Sequence, residues 1–226
     1  MRIALISDIH GNYPALLAVF ARIQKENCDL VISLGDVAGY YCMINECIDL
    51  CRKNNVVNIL GNHDYYLISG EACPRSATAN VCLELQRRII TPENLEWLKR
   101  SIPMYRHLNC WFVHGGWDDP LDEYVDLFDF YKFSDCGVTI FASGHTHIQK
   151  IQKNGPLTYI NPGSVGQPRD GDPRAAFAII DSARDVSLYR VEYDIDGIAS
   201  AMEKNGFENR YYEGLYLGKR IQKFDS

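Results

Sequence analysis

Apolar, β-branched runs alternate with amphipathic stretches along the first sixty residues. Ile3 to Ser7 reads as a strand, Pro14 to Lys25 as a helix, Leu30 to Leu34 as a strand, Asn45 to Lys53 as a helix and Val56 to Leu60 as a third strand. This βαβαβ order predicts a mostly parallel sheet with helices packed on its faces. Pro14 suits a helix start, where its missing N–H has no partner to lose. From Arg75 to Arg100 the helical pattern runs longer and breaks at Thr91-Pro92, where Thr91 can cap a second helix and Pro92 can open it. This segment, 75–101, is expected to form a helical cover over the core. Asn109 to Val113 and Val138 to Ala142 are short strands. The acidic, aromatic stretch between them, Trp117 to Asp135, reads as a loop plus a helix.

Beyond residue 148 the texture changes to short alternating segments separated by Gly and Pro turns: Ile148 to Lys153, Leu157 to Ile160, Ala175 to Asp181 and Val186 to Tyr193. They predict an antiparallel second sheet. Ile195 to Lys204 offers a last helix, and the tail from Asn209 to Ser226 is Tyr-rich and basic. Tyr211, Tyr212 and Tyr216 are expected to pack against the body. No repeat, low-complexity segment or linker divides the chain, which reads as a single α/β domain over 1–226.

Composition narrows the class. The 226 residues include 46% hydrophobic and 23% charged positions, ordinary globular usage. No apolar run is long enough to cross a bilayer. The N-terminal run stops at Asp8 without a cleavage site, so it reads as a strand rather than a signal peptide. Eight scattered cysteines lack the paired spacing of a zinc ribbon or a redox motif, which fits a reducing cytoplasm. Cys42, Cys47 and Cys51 read as small apolar helix packing. A net charge of −6 argues against extensive nucleic-acid binding, which needs clustered cations.

The chemistry collects where the strands end. Asp8-Ile9-His10, Gly35-Asp36, Gly61-Asn62-His63-Asp64, His114-Gly115-Gly116 and Gly144-His145-Thr146-His147 each follow a strand, and ligands bind at the carboxyl ends of open α/β sheets. Of six histidines only His107 lies outside these clusters. A lone Asp after a strand is usually a cap and a lone His usually a satisfied residue. The whole set, mixing imidazole, carboxylate and amide oxygens, is what a transition-metal site requires.

With its ordered D-x-H, G-D, G-N-H-[DE], H-G and G-H-x-H motifs from Asp8 through His147, the chain resembles the calcineurin-like metallophosphoesterase superfamily. Its compact prokaryotic phosphodiesterase-like branch is the most similar. The resemblance implies a four-layer αββα sandwich of two packed mixed sheets flanked by helices, with two divalent transition-metal ions (Mn, Fe, Zn, Co or Ni) at the strand ends. It implies that Asp8, His10, Asp36 and His147 hold one ion, and that Asp36, Asn62, His114 and His145 hold the other, with Asp36 bridging. Two cations ~3.5–4 Å apart can share a deprotonated water for in-line attack on phosphorus. The resemblance further assigns His63 to the phosphoryl group or to the leaving oxygen as general acid. Asp64 either orients His63 or caps a helix.

Unlike the protein phosphatase branch, whose G-D motif continues into Asp-Arg-Gly, this chain reads Gly35-Asp36-Val37-Ala38-Gly39-Tyr40. A smaller or differently gripped substrate is indicated. Candidate substrate contacts are Asn12, Tyr40, Tyr41, Arg75, Asn161 and Ser164, whereas Arg169 and Arg174 are expected to pair with neighbouring aspartates. The expected function is hydrolysis of a small phosphodiester or nucleotide. A phosphoanhydride hydrolase of the diadenosine polyphosphate type and a protein-binding scaffold on the same fold are the alternatives, and a homo-oligomer is compatible with the chain.

Overall fold

The computed structural model describes residues 1–219. Its first half follows the expected order: β1 (Ile3–Ile6), α1 (Tyr13–Lys25), β2 (Leu30–Ser33), α2 (Ile44–Lys53) and β3 (Val57–Asn58), with β1, β2 and β3 parallel neighbours. A further helix, α3 (Asn62–Ser69), starts inside the third motif. The segment expected to form a cover holds two helices, α4 (Ala77–Ile89) and α5 (Pro92–Leu98), with the Thr91 hydroxyl accepting from the Asn94 amide at 3.3 Å. Then follow β4 (Met104–His107), β5 (Cys110–Val113), β6 (Ile140–Ala142), β7 (Lys150–Asn154), β8 (Leu157–Asn161), β9 (Ala175–Ile180), β10 (Val186–Val191) and α6 (Ile195–Lys204).

The strands form two mixed five-stranded sheets, ordered β10-β9-β1-β2-β3 and β4-β5-β6-β8-β7. The two sheets flanked by helices are the expected sandwich. The assignment of every strand beyond residue 148 to one antiparallel sheet is corrected. β9 pairs antiparallel with β1 and brings β10 into the first sheet, while β8 runs parallel to β6. The reason is burial: all six residues of β9 are buried, as a central strand covered on both faces requires. Alternation along the chain carries no information about which sheet a strand joins.

Three apolar layers hold the sandwich. Ala4, Ile6, Phe177 and Ile179 face α1, α2 and α6, while Leu5, Phe112, Ala142, Ile160 and Ala178 fill the space between the sheets. On the far side of the second sheet, Trp111, Phe141 and Tyr159 meet Trp117, Phe128 and Phe133. The stretch 117–135 that supplies these rings contains no helix, contrary to expectation. Its aspartates compete with helical hydrogen bonding. Asp119 Oδ1 accepts from the Leu121 and Asp122 amides, and Asp129 Oδ1 from those of Tyr131 and Lys132.

In the tail, Tyr212 is buried and Tyr211 packs on Phe207, as expected, while Tyr216 is exposed and donates to Asp196. The basic end of the tail, 220–226, lies outside the described residues. Cys42, Cys47 and Cys51 are buried free thiols in the helical layer. Among the described residues no helix is long and apolar enough to cross a membrane.

Candidate metal centre

The loops leaving β1, β2, β3, β5 and β6 meet at one end of the sandwich and bury every motif residue there. They turn sharply. Asp8, His10, Asp36, His145 and His147 all have φ between 54° and 64°, in the left-handed region that non-glycine residues seldom enter. Backbone bonds lace the loops together: the Asp8 amide donates to Gly35 O at 3.0 Å and the His10 amide to Asp36 O at 2.9 Å. Two glycines make room. A Cβ on Gly61 would stand 2.1 Å from Asp36 Oδ1, and one on Gly39 would stand 2.2 Å from His10 Nδ1.

Each key carboxylate is anchored by one oxygen and free at the other. Asp8 Oδ2 accepts from the His145 amide at 3.1 Å and Asp36 Oδ1 from the His63 amide at 2.8 Å. Asp8 Oδ1 and Asp36 Oδ2 are buried without a hydrogen-bond partner. Around them stand imidazole nitrogens whose tautomers are set from behind. Nδ1 of His10, His114 and His147 donates to the carbonyls of Ala38, Leu34 and Gln167 at 2.8, 2.8 and 2.7 Å. Their Nε2 atoms therefore present lone pairs inward.

Those lone pairs face other acceptors. His10 Nε2 lies 3.1 Å from His147 Nε2, and His147 Nε2 lies 3.4 Å from Asp8 Oδ1. His114 Nε2 lies 3.1 Å from Asn62 Oδ1 and 3.5 Å from Asp36 Oδ2. His145 Nδ1 is 3.2 Å from His114 Nε2. Buried acceptors pointed at one another are costly unless a cation stands between them. The donor sets Asp8, His10, His147 and Asp36, His114, His145 thus fit two cations, with Asp36 also near His10 Nε2 at 3.8 Å.

Burial shapes the electrostatics. It raises the Asp8 carboxyl to about 7 and pushes Asp36 well above the usual carboxylate range, where Asp64 and Asp8 add to the effect. It lowers His114 to about 4 and drives His10, His145 and His147 down as well. Neutral histidines of this kind could serve as ligands, and a bound cation is what would keep the carboxylates ionised. His63 is held down to about 3, first by burial and then by the charge of Arg169. Its Nε2 stands 4.0 Å from Asp36 Oδ2 and its Nδ1 has no partner.

Of the two readings open for Asp64, the hydrogen bonds are those of the cap. It occupies the third position of α3 and accepts from the amides of Asp36, Ala38 and Gly61 at 2.9, 2.9 and 3.2 Å, with no bond to His63. Three expected substrate contacts have their side chains bonded to backbone groups. Asn12 caps α1 and donates to Gly166 O, Asn161 donates to Gly144 O, and Ser164 donates to Asp8 O, all fully enclosed. Small polar side chains beside tight loops satisfy backbone groups first. Tyr41 is likewise buried away from the opening.

The cleft above the carboxylates is instead lined by Tyr40, Cys73, Arg75, Ser76, Tyr124 and Arg169, beside His63. Arg174 is bonded to Asp172 as expected, but among the described residues Arg169 pairs with no aspartate, and it reaches the cleft. A second residue had no signal in the chain. Asp122, from the irregular aromatic stretch, accepts from Asn62 Nδ2 at 3.2 Å and from Tyr66 Oη at 3.2 Å, which turns Asn62 Oδ1 toward the centre.

Comparisons with known proteins agree with this geometry. The model of the calcineurin-like phosphoesterase superfamily domain matches residues 1–185. The chain is 34% identical over 245 residues to protein MJ0912 of Methanocaldococcus jannaschii, covering 96% of this chain and 98% of the relative. It is 23% identical over 201 residues to the phosphodiesterase YfcE of Escherichia coli K12, covering 80% and 88%. A crystal structure of a metallophosphoesterase from Sphaerobacter thermophilus superposes with a TM-score of 0.82 at 28% identity, covering 96% of this chain and all of the other.

Proposed function

The chain belongs to the calcineurin-like phosphoesterase superfamily, and we propose that it hydrolyses a small phosphodiester or nucleotide at a dinuclear centre. Asp8, His10, Asp36 and His147 would hold one divalent transition-metal ion, and Asp36, Asn62, His114 and His145 the other. The observation that carries this reading is the pair of free, buried carboxylate oxygens facing unprotonated ring nitrogens. The mixed imidazole, carboxylate and amide set suits Mn, Fe, Zn, Co or Ni. The chemistry such ions would supply there is a lower proton affinity for the attacking water and an offset of the charge on the phosphoryl oxygens.

The protein's own groups do the rest. Carbonyls behind His10, His114 and His147 fix the ring orientations, Asp122 orients Asn62, and Asp64 clamps the backbone on either side of Asp36. His63, at the cleft side of Asp36, hydrogen-bonds the substrate and gives a proton to the leaving oxygen. Its resting form is neutral, and an arriving phosphate anion raises its proton affinity. The phosphodiesterase named among the relatives supports a diester over a phosphoprotein.

The experiment is to measure metal content and hydrolysis of bis-p-nitrophenyl phosphate in Asp36→Ala and His145→Ala. Both variants should lose at least one ion per chain and at least ~10²-fold in kcat/KM. Full metal content and unchanged hydrolysis would defeat the mechanism and favour a scaffold. A substrate panel that includes a diadenosine polyphosphate separates ester from anhydride hydrolysis.

A further inference from the structure

The loop after Asp36 brings no cation to the cleft, since Val37, Ala38, Gly39 and Tyr40 follow it. Two arginines reach the opening from elsewhere, and they differ in what already occupies them. Arg75 donates to Asp122 O at 2.9 Å and lies 3.5 Å from its carboxylate. Arg169 hydrogen-bonds only a neutral group: its Nε and Nη2 both donate to Gln167 Oε1, at 3.1 and 2.6 Å, and its guanidinium sits 5.6 Å from the centre of the Tyr40 ring. It makes no ion pair among the described residues.

The same turn builds the metal site. The Gln167 carbonyl fixes His147 Nδ1, the Gln167 side chain also bonds the Tyr41 hydroxyl, and the Arg169 amide donates to His147 O at 3.2 Å. Arg169 is therefore held against a ligand loop, half-buried, with its charge felt at Asp8, His10, His63, His145 and His147. A fixed, partly desolvated guanidinium with no carboxylate bonded to it is a pre-formed oxyanion fork.

We propose that Arg169 binds the non-bridging oxygens of the substrate's phosphoryl group and supplies the grip that the loop after Asp36 lacks. This deepens the phosphoesterase reading and rests on it. Its consequence for specificity is a requirement for a tetrahedral oxyanion, entered from the Tyr40 side of the cleft.

The test uses the full metal-loaded chain, with inorganic phosphate as the probe in calorimetry and elemental analysis run in parallel. Arg169→Ala should keep both ions and bind phosphate ~10–100-fold more weakly, the loss expected for charge-assisted hydrogen bonds. Arg169→Lys should recover only part, because a point charge lacks the fork. Arg174→Ala, on the same turn but bonded to Asp172, should bind phosphate like the wild type. Wild-type phosphate affinity in metal-replete Arg169→Ala would overturn the assignment.

If the alanine variant loses metal, the lysine variant decides. Metal retained with weakened phosphate binding supports the proposal. Metal retained with full affinity overturns it, and so does loss of metal, since Arg169 would then build the site rather than grip the anion. A wild-type protein that binds phosphate but hydrolyses no ester would defeat the proposed function while leaving Arg169 in place.

Discussion

A left-handed residue reverses the local direction of the chain, so a loop that strings such residues together keeps its side chains at the strand end instead of carrying them away. Five ligand candidates use this device, at a cost of about 1–2 kcal/mol each that the surrounding packing must offset. His63 does not, since it sits within the first turn of α3 and is positioned by the helix. Its role can be read through the leaving group. His63→Ala should keep its metal and lose ~10²–10⁴-fold in kcat on an alkyl phosphoester, whose leaving oxygen needs a proton. The loss should be much smaller on bis-p-nitrophenyl phosphate, whose leaving phenolate does not. Equal losses on both substrates would mean that His63 grips the phosphoryl group instead. The ligand candidates were legible in the chain because each lies in a short contiguous motif. Arg169 and Asp122 were not, because tertiary folding alone brings a turn after β8 and an irregular aromatic stretch to the cleft.

At the scale of elements, apolar strand runs and amphipathic helices were legible from their spacing: β1, α1, β2, α2 and the capped pair α4 and α5 lie within a few residues of expectation. What periodicity could not convey was partnership. Nothing in Ala175–Ile180 says that it pairs with β1, and the irregular stretch 117–135 is decided by local aspartate bonding rather than by apolar spacing. Nor could the chain say whether the helical cover opens. In the fold it is latched: fully buried Gln86 of α4 accepts from the Gly39 amide at 2.9 Å and donates to the Tyr41 carbonyl at 2.5 Å. Gln86→Leu should leave both backbone groups buried and unpaired, costing ~2–6 kcal/mol. The measurements are the midpoint of thermal unfolding, expected to fall by roughly 5–15 °C, and amide exchange at Gly39, expected to quicken. A midpoint within a degree of wild type would show that α4 is not held this way.

Across the whole molecule, a net charge of −6 accompanies a cleft whose rim carries Arg75 and Arg169. The buried cluster also ties metal binding to pH. In the metal-free protein two effects oppose each other. The lowered histidines contribute stability above their unfolded value of 6.5 that is lost as pH falls toward 4 and 3, the folded values of His114 and His63. Asp8 and Asp36 act oppositely: their contribution is complete below 3.8 and is lost as pH rises, through about 7 for Asp8 and further for Asp36. Bound cations remove the opposition by holding both carboxylates ionised, so binding releases protons and strengthens as pH rises. The gap in unfolding midpoint between metal-loaded and metal-stripped protein should therefore widen between pH 5 and pH 8, by roughly 5–10 °C at fixed free metal. Scanning calorimetry on both forms at the two pH values measures it directly. A gap that is larger at pH 5 would mean that Asp8 and Asp36 reach the ions without giving up protons, which is incompatible with carboxylates buried this deeply.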